Sequence, residues 1–315
     1  MISKILRQAL GLAAPLLLAA CAAVPPAPAR ATAQAPAQAA QPVPVEIARP
    51  AMWALSDEDT TIYLLGTIHL LPPNTVWRTP VIDRAIADSD SLIIETIIDP
   101  DNPAELIQAL MILGRSPGLP PLVERIDPAR RPALQAAIAK SGMPPAVFDQ
   151  METWTAAFTL LGVKFKEIGI AGQHGVEETL RNLFSAAGKP IGQLETNMEQ
   201  LGYFDTLPES AQLALLEGAI ETSDDISMDF DAMLKSWASG DVDAIAETFN
   251  RSLAPSPELR EALLERRNAN WSRWIVQRLD QPGTVLLAVG AGHLAGDDSV
   301  QAMLEAKGYR VRRVQ

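Results

Sequence analysis

The sequence predicts a single-domain α/β protein whose central mixed sheet is flanked by helices and carries a large helical insertion or cap. Three observations lead to this prediction. Short apolar runs alternate with longer amphipathic segments, the apolar runs lie near the two ends of the folded region, and residues 100–165 and 205–280 have almost entirely helical patterns. The folded part spans about 270 residues, which is near the upper limit for one hydrophobic core.

The predicted elements follow from local patterns in the chain. Strands are expected where short runs of Ile, Val, Leu or Tyr are bounded by Gly, Pro or Asp, at Thr61–Leu65, Ser91–Ile97, Pro190–Leu194, Thr284–Val289 and Arg310–Val314. Helices are expected from amphipathic spacing with start and stop signals, at Val81–Ala87, Pro103–Leu113, Pro128–Lys140, Glu152–Leu161, Val176–Ala187, Glu209–Ile220, Met228–Ser239, Val242–Phe249, Pro257–Arg278 and Ser299–Lys307. The runs Leu92–Ile94 and Val285–Val289 are continuously apolar, which is typical of strands covered on both faces.

The N-terminus has the pattern of an export signal. Lys4 and Arg7 precede an apolar stretch that ends in Leu-Ala-Ala-Cys, which resembles a bacterial lipobox. We therefore expect residues 1–20 to be a signal peptide and Cys21 to be lipidated. Residues 21–48, rich in Ala and Pro, should form a mobile tether ahead of a domain at 49–315. The alternative is an ordinary signal followed by a fortuitous cysteine.

Composition excludes several classes of protein. The single cysteine excludes a disulfide framework and CxxC-type zinc or redox sites. The formal charge is −12, and removing Lys4 and Arg7 with the signal takes away two positive charges and leaves −14. This balance argues against nucleic acid and against an anionic lipid surface as the main partner. We expect a cell-envelope protein that touches the membrane only through its lipid anchor, from the periplasmic side of the outer membrane.

Two histidines follow predicted strands in the same local frame. One strand runs into Gly66-Thr67-Ile68-His69 and another into Gly290-Ala291-Gly292-His293, while a third strand ends at Glu95. Functional groups of α/β proteins gather at the carboxyl ends of strands, so these three side chains should meet in one crevice. His69, Glu95 and His293 suit a divalent ion such as Mn, Co, Zn or Fe. The alternative is a pair of capping or core histidines with a salt-bridged Glu95.

Arg267 is predicted to lie in the middle of an apolar helix face. Leu263, Arg267 and Trp271 are spaced four residues apart, so they share one side of the helix. A guanidinium in such a stripe needs an anionic partner. Together with Asn268, Arg267 could recognise a substrate carboxylate or a developing oxyanion. Glu95, Arg267 and Asn268 form the predicted catalytic set. The alternative is a structural salt bridge to Glu95 or Glu195, and the sequence does not choose between them.

At these residues the chain resembles the TraB/GumN family over about residues 50–315. The resemblance is carried by Tyr63–Pro72, Leu92–Glu95, Gly188–Thr196, Arg267–Trp271, Ala288–Asp297 and Gly308–Val311, in the family order. It implies kinship with the metal-dependent Tiki proteases, TraB-type pheromone-shutdown proteins, erythromycin esterases that are thought to need no metal, and haem-binding lipoproteins. The chain departs from the expected Gly-Val-Asp at Gly175-Val176-Glu177, and we assign Glu177 no catalytic role.

Three functions are consistent with these patterns. The first is a lipid-anchored, metal-dependent hydrolase, most simply a peptidase, acting on a peptide or small-molecule substrate. The second is a non-catalytic lipoprotein that binds a peptide or haem. The third is a metal-independent esterase with His69 or His293 as general base.

Overall fold

The computed structural model describes residues 47–72, 74–99, 102–167, 175–253 and 256–315. Outside these residues lie the predicted signal peptide, Cys21, nearly all of the tether and His174, the third histidine of the chain. Within the described parts the chain forms one mixed α/β domain, which confirms the predicted fold class. Its six-stranded sheet has the order β4-β3-β5-β2-β1-β6. The strands are β1 Met52–Ser56, β2 Thr60–Thr67, β3 Ser91–Ile94, β4 Ile191–Gln193, β5 Gly283–Gly290 and β6 Val311–Arg313.

Strand register brings the two Gly-x-x-His motifs side by side. β2 and β5 are parallel neighbours, with Gly66 opposite Val289 and Thr67 opposite Gly290. On its other side β5 pairs in parallel with β3, where Ile94 lies opposite Ala288. Because parallel strands end at the same edge of a sheet, the residues that follow β2, β3 and β5 converge.

Every predicted strand and helix corresponds to an observed element. The helices are α1 Pro80–Asp88, α2 Ala104–Leu113, α3 Leu122–Arg125, α4 Arg131–Ser141, α5 Pro145–Phe148, α6 Thr153–Glu167, α7 Val176–Ala186, α8 Asn197–Asp205, α9 Glu209–Ala219, α10 Ser223–Ser239, α11 Val242–Leu253, α12 (257–279) and α13 Val300–Ala306. α12 consists of Pro257–Arg260, a π-helical turn at Glu261–Glu265, and Arg266–Leu279. Among the described residues, no helix is long and apolar enough to cross a membrane.

Four of these elements were not expected from the sequence: β1, α8 and the short helices α3 and α5. β1 is short and buried over most of its length, so it shows no alternation of apolar and polar residues, and it pairs antiparallel with β2 across an acidic turn. α8 begins with a capping box in which Thr196 and Glu199 bond reciprocally. That Thr-x-x-Glu pattern is a recognisable start signal and could have predicted the helix.

The predicted strand Ser91–Ile97 ends early, at Ile94. Glu95 turns away from the ladder, and its carbonyl accepts the backbone N–H groups of Leu194 at 3.1 Å and Glu195 at 2.9 Å. Ile97 donates its N–H to the side-chain Oε1 of Gln193 at 2.7 Å instead of to a neighbouring strand. The chain therefore leaves the sheet at the residue that points into the candidate site.

The sheet separates two hydrophobic clusters. Successive residues of β5 alternate between them, with Leu286 and Ala288 in the larger cluster and Leu287 and Val289 in the smaller one. Both faces of this strand are therefore covered, which explains its continuously apolar sequence. The larger cluster includes most of the helical insertion, so that insertion and the sheet share one core.

Candidate functional site

Four predicted site residues meet at the carboxyl end of the sheet. Glu95 follows β3, His293 lies in the short 3₁₀ helix Ala291–Leu294 after β5, and Arg267 comes from α12. These three side chains are deeply buried, with exposed fractions of 5% for Glu95, 6% for Arg267 and 1% for His293. His69, two residues beyond β2, lies at the more open side, where its side chain is 13% exposed.

Arg267 is bonded to both candidate carboxylates. Its Nη2 donates to Glu95 Oε2 at 2.6 Å and to Glu195 Oε2 at 2.9 Å, and its Nε donates to both oxygens of Glu195 at 3.0 and 3.1 Å. Nη1 donates to His293 Nε2 at 3.1 Å and to the Leu263 carbonyl at 3.5 Å. Each nitrogen of the guanidinium therefore has acceptors within the protein. This is the salt-bridge arrangement, and it leaves Arg267 without a spare donor for a substrate in this conformation.

The neighbours of Arg267 fix it in place. The π-helical turn at Glu261–Glu265 lies directly before it in α12, and such turns are frequent at functional sites. The Trp271 ring lies 4.7 Å from the guanidinium carbon, and Trp271 Nε1 donates to Glu195 Oε1 at 2.9 Å. Although burial lowers the pKa of Arg267, Glu195 and Glu95 together raise it above its usual value, so the group stays charged.

Glu95 is held as a carboxylate. Burial alone would raise its pKa, but Arg267, then the two histidines and the Gly290 N–H lower it to about 2. The Gly290 N–H donates to Oε1 at 2.6 Å, and Gln200 Nε2 donates to Oε2 at 3.3 Å. A carboxylate with so low a pKa is a poor proton acceptor but a stable source of negative charge.

His293 is held neutral in one tautomer. Asn268 Nδ2 donates to the Asp298 carbonyl at 2.8 Å, which leaves Asn268 Oδ1 to accept a hydrogen bond. Its partner is His293 Nδ1, 2.6 Å away, so Nδ1 carries the proton and Nε2 accepts from Arg267. Burial first, and Arg267 second, lower the pKa of His293 to about 3. Asn268 therefore orients His293. The sequence had instead predicted that Asn268 donates a hydrogen bond to the substrate.

His69 is paired with Glu177, a carboxylate to which no catalytic role was assigned from the sequence. His69 Nδ1 lies 2.9 Å from Glu177 Oε1, and Thr67 Oγ1 donates to the same oxygen. Burial lowers the pKa of His69, but Glu177 and, more weakly, Glu95 outweigh burial and raise the pKa to about 9. His69 Nε2 has no hydrogen bond to any described residue. Two signals in the sequence could have found Glu177: its place in the first turn of a helix after a glycine, and its position where the family pattern has the Asp of Gly-Val-Asp.

One of the motif glycines, Gly292, permits close approach between the helical insertion and the sheet. A Cβ on Gly292 would lie 2.5 Å from the Phe249 ring of α11. The Gly66 carbonyl accepts the indole N–H of Trp237, from α10, at 2.9 Å. Neither Gly66 nor Gly292 has a positive φ. Helices α10 and α11 therefore contact the two segments that carry the histidines.

The three predicted metal ligands do not fit a divalent ion as they are arranged here. His293 Nε2, the nitrogen that would bind the ion, already accepts from Arg267, and its distance to Glu95 Oε1 is 3.9 Å. A second cation at this position would be repelled by the guanidinium. Among the described residues, no three His, Cys, Asp or Glu side chains are placed to hold a metal together. The metal site stays a prediction, and it would require Arg267 to move.

Comparison with known proteins identifies the family. The sequence model of the TraB/PrgY/gumN family matches residues 51–313, so the chain belongs to that family. It is 24% identical over 248 residues to the uncharacterized protein YbaP of Escherichia coli K12, covering 77% of this chain and 87% of YbaP. The YbaP protein of Shigella flexneri is similar to the same extent. No solved structure matches significantly.

The shifted pKa values predict that folding stability is greatest near pH 6.5. His293, with a folded pKa of about 3, and Glu95, with about 2, bind fewer protons than in the unfolded chain, so stability falls as the solution becomes more acidic than their unfolded values. His69, with a folded pKa of about 9, holds a proton that the unfolded chain releases above about 6.5, so stability also falls as pH rises towards 9.

Chemical unfolding between pH 4 and pH 10 measures this curve, with His69→Gln as the matched variant. The free energy of unfolding of this variant should no longer decline as the pH rises above 6.5, and it should still decline as the solution becomes more acidic. A wild-type curve that stays level between pH 6.5 and pH 9 contradicts the assignment of the raised pKa to His69.

Proposed function

We propose that this member of the TraB/PrgY/gumN family is a cell-envelope hydrolase of amide or ester bonds, with His69 as the general base. One observation carries the proposal. His69 is partly exposed, is anchored through Nδ1, and has an Nε2 free of any described hydrogen bond, beside a buried cluster of charged groups. A histidine in that state can exchange a proton with water or substrate.

The reaction would begin with neutral His69. Its Nε2 takes a proton from a water molecule, and the resulting hydroxide adds to the carbonyl carbon of the substrate. The tetrahedral intermediate then expels an amine or alcohol, which takes the proton back from the His69 imidazolium. Atoms and charges balance, because the OH of the water ends in the carboxylic acid and its proton ends on the leaving amine or alcohol.

The buried cluster would supply a fixed electrostatic environment. Arg267 has no spare N–H, so it acts through its charge and through the three groups it holds, Glu95, Glu195 and His293. Glu95 favours the imidazolium that forms on His69 during the reaction, because it contributes to the raised pKa of that histidine. Preorganised charges of this kind cost no rearrangement at the moment of reaction.

A metal-dependent hydrolase is the second candidate, and one observation favours it. Both imidazoles bond through Nδ1 to a side-chain oxygen, of Glu177 for His69 and of Asn268 for His293. Histidines that bind metals commonly hold their second nitrogen in this way. Here the ion would have to displace Arg267 from His293, which is why we place the metal-independent reaction first.

Hydrolysis is tested with the purified mature chain, using p-nitrophenyl esters and a fluorogenic peptide library as probes. His69→Ala should lower kcat by roughly 10²-fold or more, because general-base catalysis contributes at least that much. Glu305→Ala, on an exposed face of α13, should have no effect. The kcat/KM of the wild type should rise with pH and level off near pH 9, where His69 loses its proton.

The outcomes separate the candidates. Activity that survives EDTA in protein without bound metal supports the proposal. Stoichiometric divalent metal together with loss of activity in EDTA supports the metal-dependent reaction instead. Saturable binding of haemin or peptide without any hydrolysis supports a binding protein and overturns both.

We further propose that the protein is a lipoprotein anchored through Cys21 to the outer membrane and facing the periplasm. The support is the sequence alone, since a basic segment and an apolar segment precede Leu-Ala-Ala-Cys. Ala22 provides no aspartate at the position after the cysteine that would favour retention in the inner membrane.

Cys21→Ser should release the protein from the membrane fraction, because the acyl chains that hold it can no longer be attached. Fractionation of cells followed by immunoblotting measures this, with Arg273→Ala as the control that should remain with the membrane. If Cys21→Ser also remains there, the anchor is wrong.

A further inference from the structure

Glu177 lies at the second position of α7, where it is the nearest carboxylate to His69. Its Oε1 is 2.9 Å from His69 Nδ1 and also accepts the hydroxyl of Thr67. We propose that Glu177 is the positioning residue of the site, which selects the tautomer of His69 and directs its Nε2 towards the reacting water. The proposal deepens the hydrolase function above and rests on it.

The hydrogen bonds determine which nitrogen of His69 is available. An ionised carboxylate can only accept, so a bond to Glu177 requires a proton on Nδ1. When His69 is neutral, its lone pair is then on Nε2, which has no described partner. Thr67 directs its own hydroxyl to the same oxygen and thereby restricts the rotation of the carboxylate.

The backbone holds Glu177 at this distance. Val176, the first residue of α7, donates its N–H to the Ile68 carbonyl at 3.2 Å. A Cβ on Gly175 would lie 2.3 Å from the His69 carbonyl oxygen, so only glycine permits this contact. The start of α7 is therefore docked directly on the loop that carries His69.

Glu177 lies in the first turn of α7, close to the N-terminus of the helix. Unpaired N–H groups at a helix N-terminus attract negative charge in the first turn. Further along α7, Leu180 and Phe184 are fully buried in the main core, so the helix is a rigid support. The carboxylate is thus held by the fold itself, and a positioning role does not require it to touch substrate.

The test compares Glu177→Gln and Glu177→Asp with Glu178→Gln as the matched control in the full mature chain. Glu178 occupies the next helical position and therefore points away from Glu177, while its replacement removes the same charge from the same helix end. Two properties are measured, the proton NMR signal of the His69 Nδ1–H and the separate values of kcat and KM. His69→Ala identifies the NMR signal.

Glu177→Gln should lose the far-downfield Nδ1–H signal, because the amide can present an N–H to Nδ1 and select the other tautomer. Its kcat should fall roughly 10²-fold with little change in KM, since the loss concerns proton transfer and not binding. Glu177→Asp keeps a carboxylate and should recover much of the signal and of kcat. Glu178→Gln should retain both.

The proposal is overturned if Glu177→Gln keeps the downfield signal and the wild-type kcat, or if Glu178→Gln has the same effect as Glu177→Gln. Thermal unfolding of each variant separates these results from simple loss of the fold. If the wild type hydrolyses none of the probes, the hydrolase function fails, and the NMR signal still decides whether Glu177 positions His69.

Discussion

The buried guanidinium of Arg267 is the interaction on which the site depends. Two carboxylates and one histidine bond to it in a part of the protein closed to solvent. Burying any one of these charges alone would cost several kcal/mol, so the groups are acceptable only together. The three groups that bond to Arg267 follow β3, β4 and β5, and Arg267 itself lies on α12. The sheet and the long helix must therefore assemble before every charge in the cluster has its partner.

This constraint explains why the two histidines differ so strongly. His293 lies against the guanidinium and is neutral, with a pKa lowered to about 3, whereas His69 lies against Glu177 and has a pKa raised to about 9. Two similar motifs at neighbouring strand ends therefore provide different chemistry. His293 belongs to the fixed electrostatic environment, while His69 is the group able to exchange a proton.

Much of the fold could be predicted because its strongest signals are local. Continuously apolar strands such as β5 and amphipathic helices such as α7 appear directly in the sequence, and the Gly-x-x-His motifs end their strands as expected. β1 could not be predicted since four of its five residues are buried and show no alternation. The partners in the site were harder still. Arg267 bonds to both Glu95 and Glu195, and Glu177 bonds to His69. These contacts depend on distances between elements, which the spacing of residues along the chain does not determine.

The free energy of unfolding of Arg267→Met, compared with that of the triple variant Arg267→Met/Glu95→Gln/Glu195→Gln, tests the central role of the guanidinium most directly. Chemical denaturation near pH 6.5 measures both. The single variant should lose about 3–5 kcal/mol, because two buried carboxylates are left without their cation, and the triple variant should recover a large part of that loss. A single variant that loses less than about 1 kcal/mol, or a triple variant less stable than the single one, would contradict this account.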